Sequence, residues 1–226
     1  MPSPPPMKRD PLRIEVCRDA DDLARHAAQS FVSVAGMSLG SRGRLDVALA
    51  GGDAARRMYD VLAEDHMAFQ IVWPAVHVYW SDELCVPRDG DRGDRQQAQA
   101  LLAKVGLPDG NIHTLRGDQA ALRGVRFDLI VLDALDSLTP DGASPAPEII
   151  QSARFVMVLA SGEAVAPLAQ RMLGAEGDDN ARAQAFRPAN GQILWLLDAE
   201  AASLLPLPEA QAGTGEAPGP LPDISV

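Results

Sequence analysis

Several residue types are scarce in this chain of 226 residues, and each scarcity excludes a class of protein. Only two cysteines occur, Cys17 and Cys85, far apart and without a CxxC or Cys/His spacing. A disulfide framework is therefore excluded, a zinc site is not expected, and a reducing cytoplasm is the expected setting. Basic residues are outnumbered, 20 Lys and Arg against 31 Asp and Glu, for a net charge of -11. A surface of that sign repels nucleic acid and anionic membranes, so neither is an expected partner. No apolar run approaches the ~18 residues that span a bilayer. Residues 1–11 hold prolines, Lys8 and Arg9 but no apolar stretch, and read as a flexible tail instead of a secretion signal. The four histidines, His26, His66, His77 and His113, show neither HxH nor HExxH spacing, so no metal site is read from them.

What is present is an alternation of apolar strands and amphipathic helices. Leu12–Cys17, Leu45–Ala50, Val76–Trp80, Phe127–Leu132, Phe155–Leu159 and Gln192–Leu197 read as strands, the later ones continuous apolar runs suited to burial on both faces. Asp19 caps a helix carrying Leu23, Ala27, Phe31 and Val34, which the stretch from Gly36 to Arg44 is expected to end. Further helices begin at Asp53, which can serve as N-cap as well as serine would, span Gln96–Val105 and run from Gly162 to Leu173. Strand–helix alternation predicts an α/β fold: a doubly wound, mainly parallel sheet with helices on both faces. The expected domain is residues 12–204, and residues 205–226, rich in Pro, Gly, Ala and Glu, read as a disordered tail.

Three local patterns invite a chemical reading. Gly36-Met-Ser38-Leu-Gly40 matches G-x-S-x-G, but a nucleophile elbow needs a strand before its serine, and here a helix precedes it. The expectation is an exposed helix-ending turn. Ala50-Gly51-Gly52-Asp53 lies where a strand hands over to a helix, the edge of a parallel sheet where ligands bind. Glycines there let backbone N–H groups approach an anion, although tight turns use them equally often. Asp82 and Glu83 follow the strand Val76–Trp80 at the same edge, and are candidates for acid–base chemistry or for capping the next loop.

In their order along the chain, these segments resemble the 6-phosphogluconolactonase family over most of residues 12–202. The family's Ser-Gly-Gly-Ser-Thr-Pro loop corresponds to Ala50-Gly51-Gly52-Asp53-Ala54-Ala55, and its Trp-x-Asp-Glu-Arg-x-Val-Pro segment to Trp80-Ser81-Asp82-Glu83-Leu84-Cys85-Val86-Pro87. Asn111-Ile112-His113 and Trp195 to Ala201 are also similar to it. The resemblance implies a fold related to glucosamine-phosphate and ribose-phosphate isomerases. It further implies hydrolysis of 6-phosphoglucono-lactone in the pentose phosphate pathway, without a cofactor.

The departures fall on the chemistry. The family's fourth strand is followed by Gly-x-Gly-x-Asp-Gly-His, whose histidine serves as general base. Here that strand runs into Asp133-Ala-Leu-Asp136-Ser137-Leu138, with no histidine. The arginine after Asp-Glu is Leu84, the lysine of the Gly-Glu-x-Lys element is Val165, and the Arg-x-Thr segment is replaced by Ser144-Pro-Ala-Pro147. Asp53 puts a carboxylate where a phosphate would sit; two unit charges ~4 Å apart repel by about 4 kcal/mol at an effective dielectric of ~20. Two readings follow. An active lactonase needs a substitute base, with Asp82, Glu83 and Asp136 as candidates, and a ligand site built from Gly51, Gly52, Asp53, Arg56 and Arg95, with Arg57 or Arg92 as further cations. The residues themselves favour a scaffold whose site is degenerate, inactive or altered: a binding protein for a small sugar-derived molecule, set in a homodimer or with a partner enzyme, or a hydrolase or isomerase for an unphosphorylated sugar.

Overall fold

The computed structural model describes residues 12–80, 102–113, 125–139, 145–174 and 183–206. Asp82, Glu83, Leu84, Arg92, Arg95 and both expected tails, apart from residues 205 and 206, lie outside the described residues, as does most of the helix expected over Gln96–Val105.

Among the described residues seven strands form one sheet, every adjacent pair parallel: β1 (Leu12–Cys17), β2 (Leu45–Leu49), β3 (Val76–Trp80), β4 (Ile112–His113), β5 (Leu129–Asp133), β6 (Phe155–Ala160) and β7 (Gln192–Asp198). Their spatial order is β1-β7-β6-β5-β2-β3-β4. Side chains alternate across the pleat, which divides the core in two. On one face Val47, Leu49, Leu129, Val131, Met157 and Leu196 pack beneath α1 (Ala20–Arg42), α2 (Asp53–Leu62) and Met67 of α3 (Asp65–Ala68). On the other, Ile130, Leu132, Val156, Val158, Trp195 and Leu197 meet α4 (Ala134–Leu138), α5 (Pro147–Ser152) and α6 (Ala166–Leu173). The doubly wound reading is thus observed. Burial on both faces is why β5, β6 and β7 have no polar alternation. Among the described residues no helix is long and apolar enough to cross a membrane.

Two expectations need correction. The first helix does not end at Gly36: α1 continues to Arg42 and stops at Gly43, whose φ of 69° is left-handed and whose N–H donates to the Leu39 carbonyl. Gly36 and Gly40 face solvent, while Ser38 is buried and Met37 and Leu39 pack against the core, so burial of that face outweighs the low helix propensity of glycine. Ser38 is therefore neither an exposed turn residue nor the head of an elbow. Asp53, in turn, is not the cap of α2. Gly52 holds that position with a φ of 89°, and Asp53 is the first helical residue.

Candidate active site

Strand order places the site. From β2 the chain winds outward through β3 and β4, then returns to the other side of β2 and winds through β5, β6 and β7. The order reverses between β2 and β5, and the crevice outside the carboxyl ends of those two strands is where such sheets hold ligands. The loop Ala50-Gly51-Gly52 leaves β2 there, and Asp133 ends β5 beside it. Tyr59 on α2 donates its hydroxyl hydrogen to the Ala50 carbonyl at 2.7 Å, pinning the glycine loop from below.

Gly52 is required by more than its backbone angle. A Cβ placed on it would lie 2.5 Å from Asp136 Oδ2 and 2.6 Å from Asp133 Oδ2. Both carboxylates therefore converge on one point above Gly52, with those two oxygens within about 5 Å of each other. Asp133 is buried and caps α4: its Oδ1 accepts from the backbone N–H groups of Leu135 (3.0 Å) and Asp136 (3.4 Å), and the Ala54 N–H also donates to its carboxylate. Despite these donors, burial first and the neighbouring Asp136 charge second push the Asp133 carboxyl up to about 7. Asp136 stands on the first turn of α4 and is exposed. The result is a carboxyl poised to hold a proton at neutral pH, next to a more solvated partner, an arrangement suited to acid–base work.

The same edge is braced further along. Asp198 at the end of β7 is buried and accepts from Ser161 Oγ (2.6 Å), the Gly162 N–H (2.9 Å) and the Ala201 N–H (2.8 Å), which ties the loop after β6 to the turn after β7. Val165 is buried against the second core, so this position supplies no cation.

Of the residues singled out from sequence, the structure brings Gly52 and Asp136 together, with Gly51 in the same loop. Asp53 and Arg56 meet each other instead: they form an ion pair one turn apart on α2, with the Asp53 side chain 83% exposed. A carboxylate paired and solvated in this way repels an incoming anion far less than the ~4 kcal/mol of an unpaired, shielded charge. Arg57 reaches Asp21 on α1. Asp82, Glu83 and Arg95 lie outside the described residues. Asp133 was missed as a site residue; its signal was a charged side chain closing a wholly apolar strand just before a helix. His77 and His113 were also read singly, yet their rings stack with Nδ1 and Nε2 2.9 Å apart between β3 and β4. Burial pushes both imidazoles below their ordinary value.

Comparison with known proteins agrees with this architecture. Residues 18–133 match the model of the family described as glucosamine-6-phosphate isomerases/6-phosphogluconolactonase. The 6-phosphogluconolactonase of Mycobacterium tuberculosis (strain ATCC 25618 / H37Rv) is 28% identical, over 85% of this chain and 98% of the relative. That of Streptomyces coelicolor (strain ATCC BAA-471 / A3(2) / M145) is 27% identical, over 87% and 96%. Among solved structures, 6-phosphogluconolactonase from Trypanosoma brucei superposes with a TM-score of 0.70 at 20% identity, covering 85% of this chain and 98% of its own. A monomeric glucosamine-6-phosphate deaminase gives 0.67 at 14% identity, over 85% and 99%; at these identities the likeness is one of fold.

Proposed function

Because the chain belongs to the glucosamine-6-phosphate isomerase/6-phosphogluconolactonase family, we propose that it hydrolyses sugar lactones of the glucono-lactone type, using a carboxyl pair in place of the family's histidine. The observation that carries this reading is the convergence of Asp133 and Asp136 over Gly52 at the switch point of the sheet. Asp136, the more exposed partner, takes a proton from water as the water oxygen attacks the lactone carbonyl. The ring C–O bond then breaks, and Asp133, held protonated by burial, delivers its proton to the departing ring oxygen. The proton gained by Asp136 restores the pair, and no cofactor enters these steps. A well-placed general acid or base contributes ~10²–10⁴-fold, which is the share asked of each carboxyl.

The Asp53–Arg56 ion pair bears on the substrate. It occupies the first turn of the helix that follows the glycine loop, so both groups are already engaged where a phosphate would be clamped. The reading is therefore a lactonase that accepts unphosphorylated glucono-lactone about as well as the 6-phosphate. A reducing cytoplasm is the setting this reading assumes, in keeping with two widely spaced cysteines and a free Cys17. Rates on the two lactones, each corrected for spontaneous hydrolysis, test this. Expected are turnover within the ordinary range of ~1–10³ s⁻¹ and kcat/KM values within about tenfold of each other, a gap of only ~1.4 kcal/mol. A preference of a thousandfold or more for the phosphate would show a clamp that this reading denies.

A further inference from the structure

A second cluster lies on the same edge of the sheet, at β1, three strand spacings or about 14 Å from β5. Alternation along β1 puts Glu15 and Cys17 on the face covered by α1. On α1, Asp22 and His26 stand four residues apart and so share one side of the helix. Ligand atoms of Cys17, Asp22 and His26 all lie within 4.8 Å of one another. Glu15 Oε2 approaches His26 Nδ1 to 3.6 Å. Among the described residues that buried Nδ1 has no hydrogen-bond partner, which a fold normally avoids. Sequence spacing gives no hint of such a site, because its members come from a strand and a helix and form no paired motif.

We propose that Cys17, Asp22 and His26 form a three-donor binding site for a borderline divalent cation of the Zn²⁺ type, with Glu15 as the carboxylate beside the imidazole. One sulfur, one imidazole nitrogen and one carboxylate make a mixed donor set suited to Zn²⁺, whereas Mg²⁺ and Ca²⁺ prefer all-oxygen shells. Asp22 is prepared for the role. Arg18 and Arg25 donate to its oxygens at 2.9–3.2 Å and fix the carboxylate in place. Arg13 likewise orients Glu15 at 2.7 Å. Such outer hydrogen bonds are what fix and tune metal ligands. The acidic groups Asp22, Glu15, Asp198 and Asp19 around the buried Cys17 sulfur favour a bound cation, and metal binding displaces the thiol proton. Three protein donors leave the fourth position to water, and the bound ion would clip the edge strand β1 to the start of α1.

Titration of the full chain with Co²⁺ and Zn²⁺, after treatment with a chelator, tests this. Expected are one metal per chain, a thiolate-to-Co²⁺ absorption band that Zn²⁺ abolishes, and a raised melting temperature with Zn²⁺. Cys17→Ser should lose the band, and His26→Gln, which keeps the thiol, should weaken binding by 10–100-fold or more. Folding of each variant is checked by circular dichroism. Absence of the band in the folded wild type, or binding undiminished in His26→Gln, would overturn the proposal and leave Asp22 as an arginine-paired helix residue only.

Discussion

Asp133 carries the account at the scale of single residues, and its burial has a consequence for stability that is independent of catalysis. Its folded-state value of about 7 lies above the ordinary 3.8. The folded protein therefore binds more protons than the unfolded chain between those values, and stability is lost as pH rises through that interval. Above about pH 7 the full penalty applies, on the order of 4 kcal/mol at most, since each unit corresponds to ~1.4 kcal/mol. Asp133→Asn keeps the oxygen that caps α4 and removes the charge. Urea unfolding should show this variant gaining on the wild type from about pH 4 to pH 7 and holding a constant advantage above. A constant difference across the whole range would mean that Asp133 is not perturbed. Gly52→Ala tests the convergence itself. The added methyl has no room between two carboxylate oxygens, and a positive φ costs a further ~1–2 kcal/mol for any L-residue. A melting temperature lowered by several degrees is expected, and an unchanged one would mean that the carboxylates do not crowd this point.

At the scale of elements, much of the structure was legible. Strand boundaries read from apolar runs agree with the observed ones to within two residues, because wholly buried strands leave no polar positions to confuse the pattern. The start of α1 was equally plain: Asp19 accepts from the Asp22 N–H at 2.8 Å, as its place before the apolar periodicity required. Asp19→Ala should cost ~1 kcal/mol by denaturant unfolding, and a difference below a few tenths would argue against the cap. The far end of α1 was misread because Gly36 and Gly40 look like breakers, whereas the deciding feature is the buried stripe of Val34, Ala35 and Ser38. Propensity is a local quantity and packing is not. Gly43, with open space around its Cβ position but a left-handed φ, should lose ~1 kcal/mol as Ala, while Gly40→Ala should be neutral or stabilising.

For the whole molecule, alternation of strands and helices was enough to indicate a doubly wound sheet, and the strand order then identifies the crevice between β2 and β5. Sequence could not show what occupies it. Gly52 lies some eighty positions from Asp133 and Asp136, and only the β2–β5 pairing brings them to one point. The sequence shows no histidine in the stretch Asp133 to Leu138, where the resemblance implies one; the carboxyl pair there was not legible, since a raised carboxyl depends on burial that no spacing reveals. For the same reason Asp53 read as a hostile charge until its exposure and its pairing with Arg56 were seen. The most direct test of the central claim is the pH profile of kcat/KM for glucono-lactone hydrolysis by the wild type, Asp133→Asn and Asp136→Asn, each corrected for the spontaneous rate. The account predicts wild-type activity that falls as pH rises through about 7, where Asp133 gives up its proton. Both variants should lose ~10²–10⁴-fold, and Asp133→Asn should lose the alkaline limb as well. Wild-type hydrolysis no faster than the spontaneous reaction, or full activity in both variants, would contradict it.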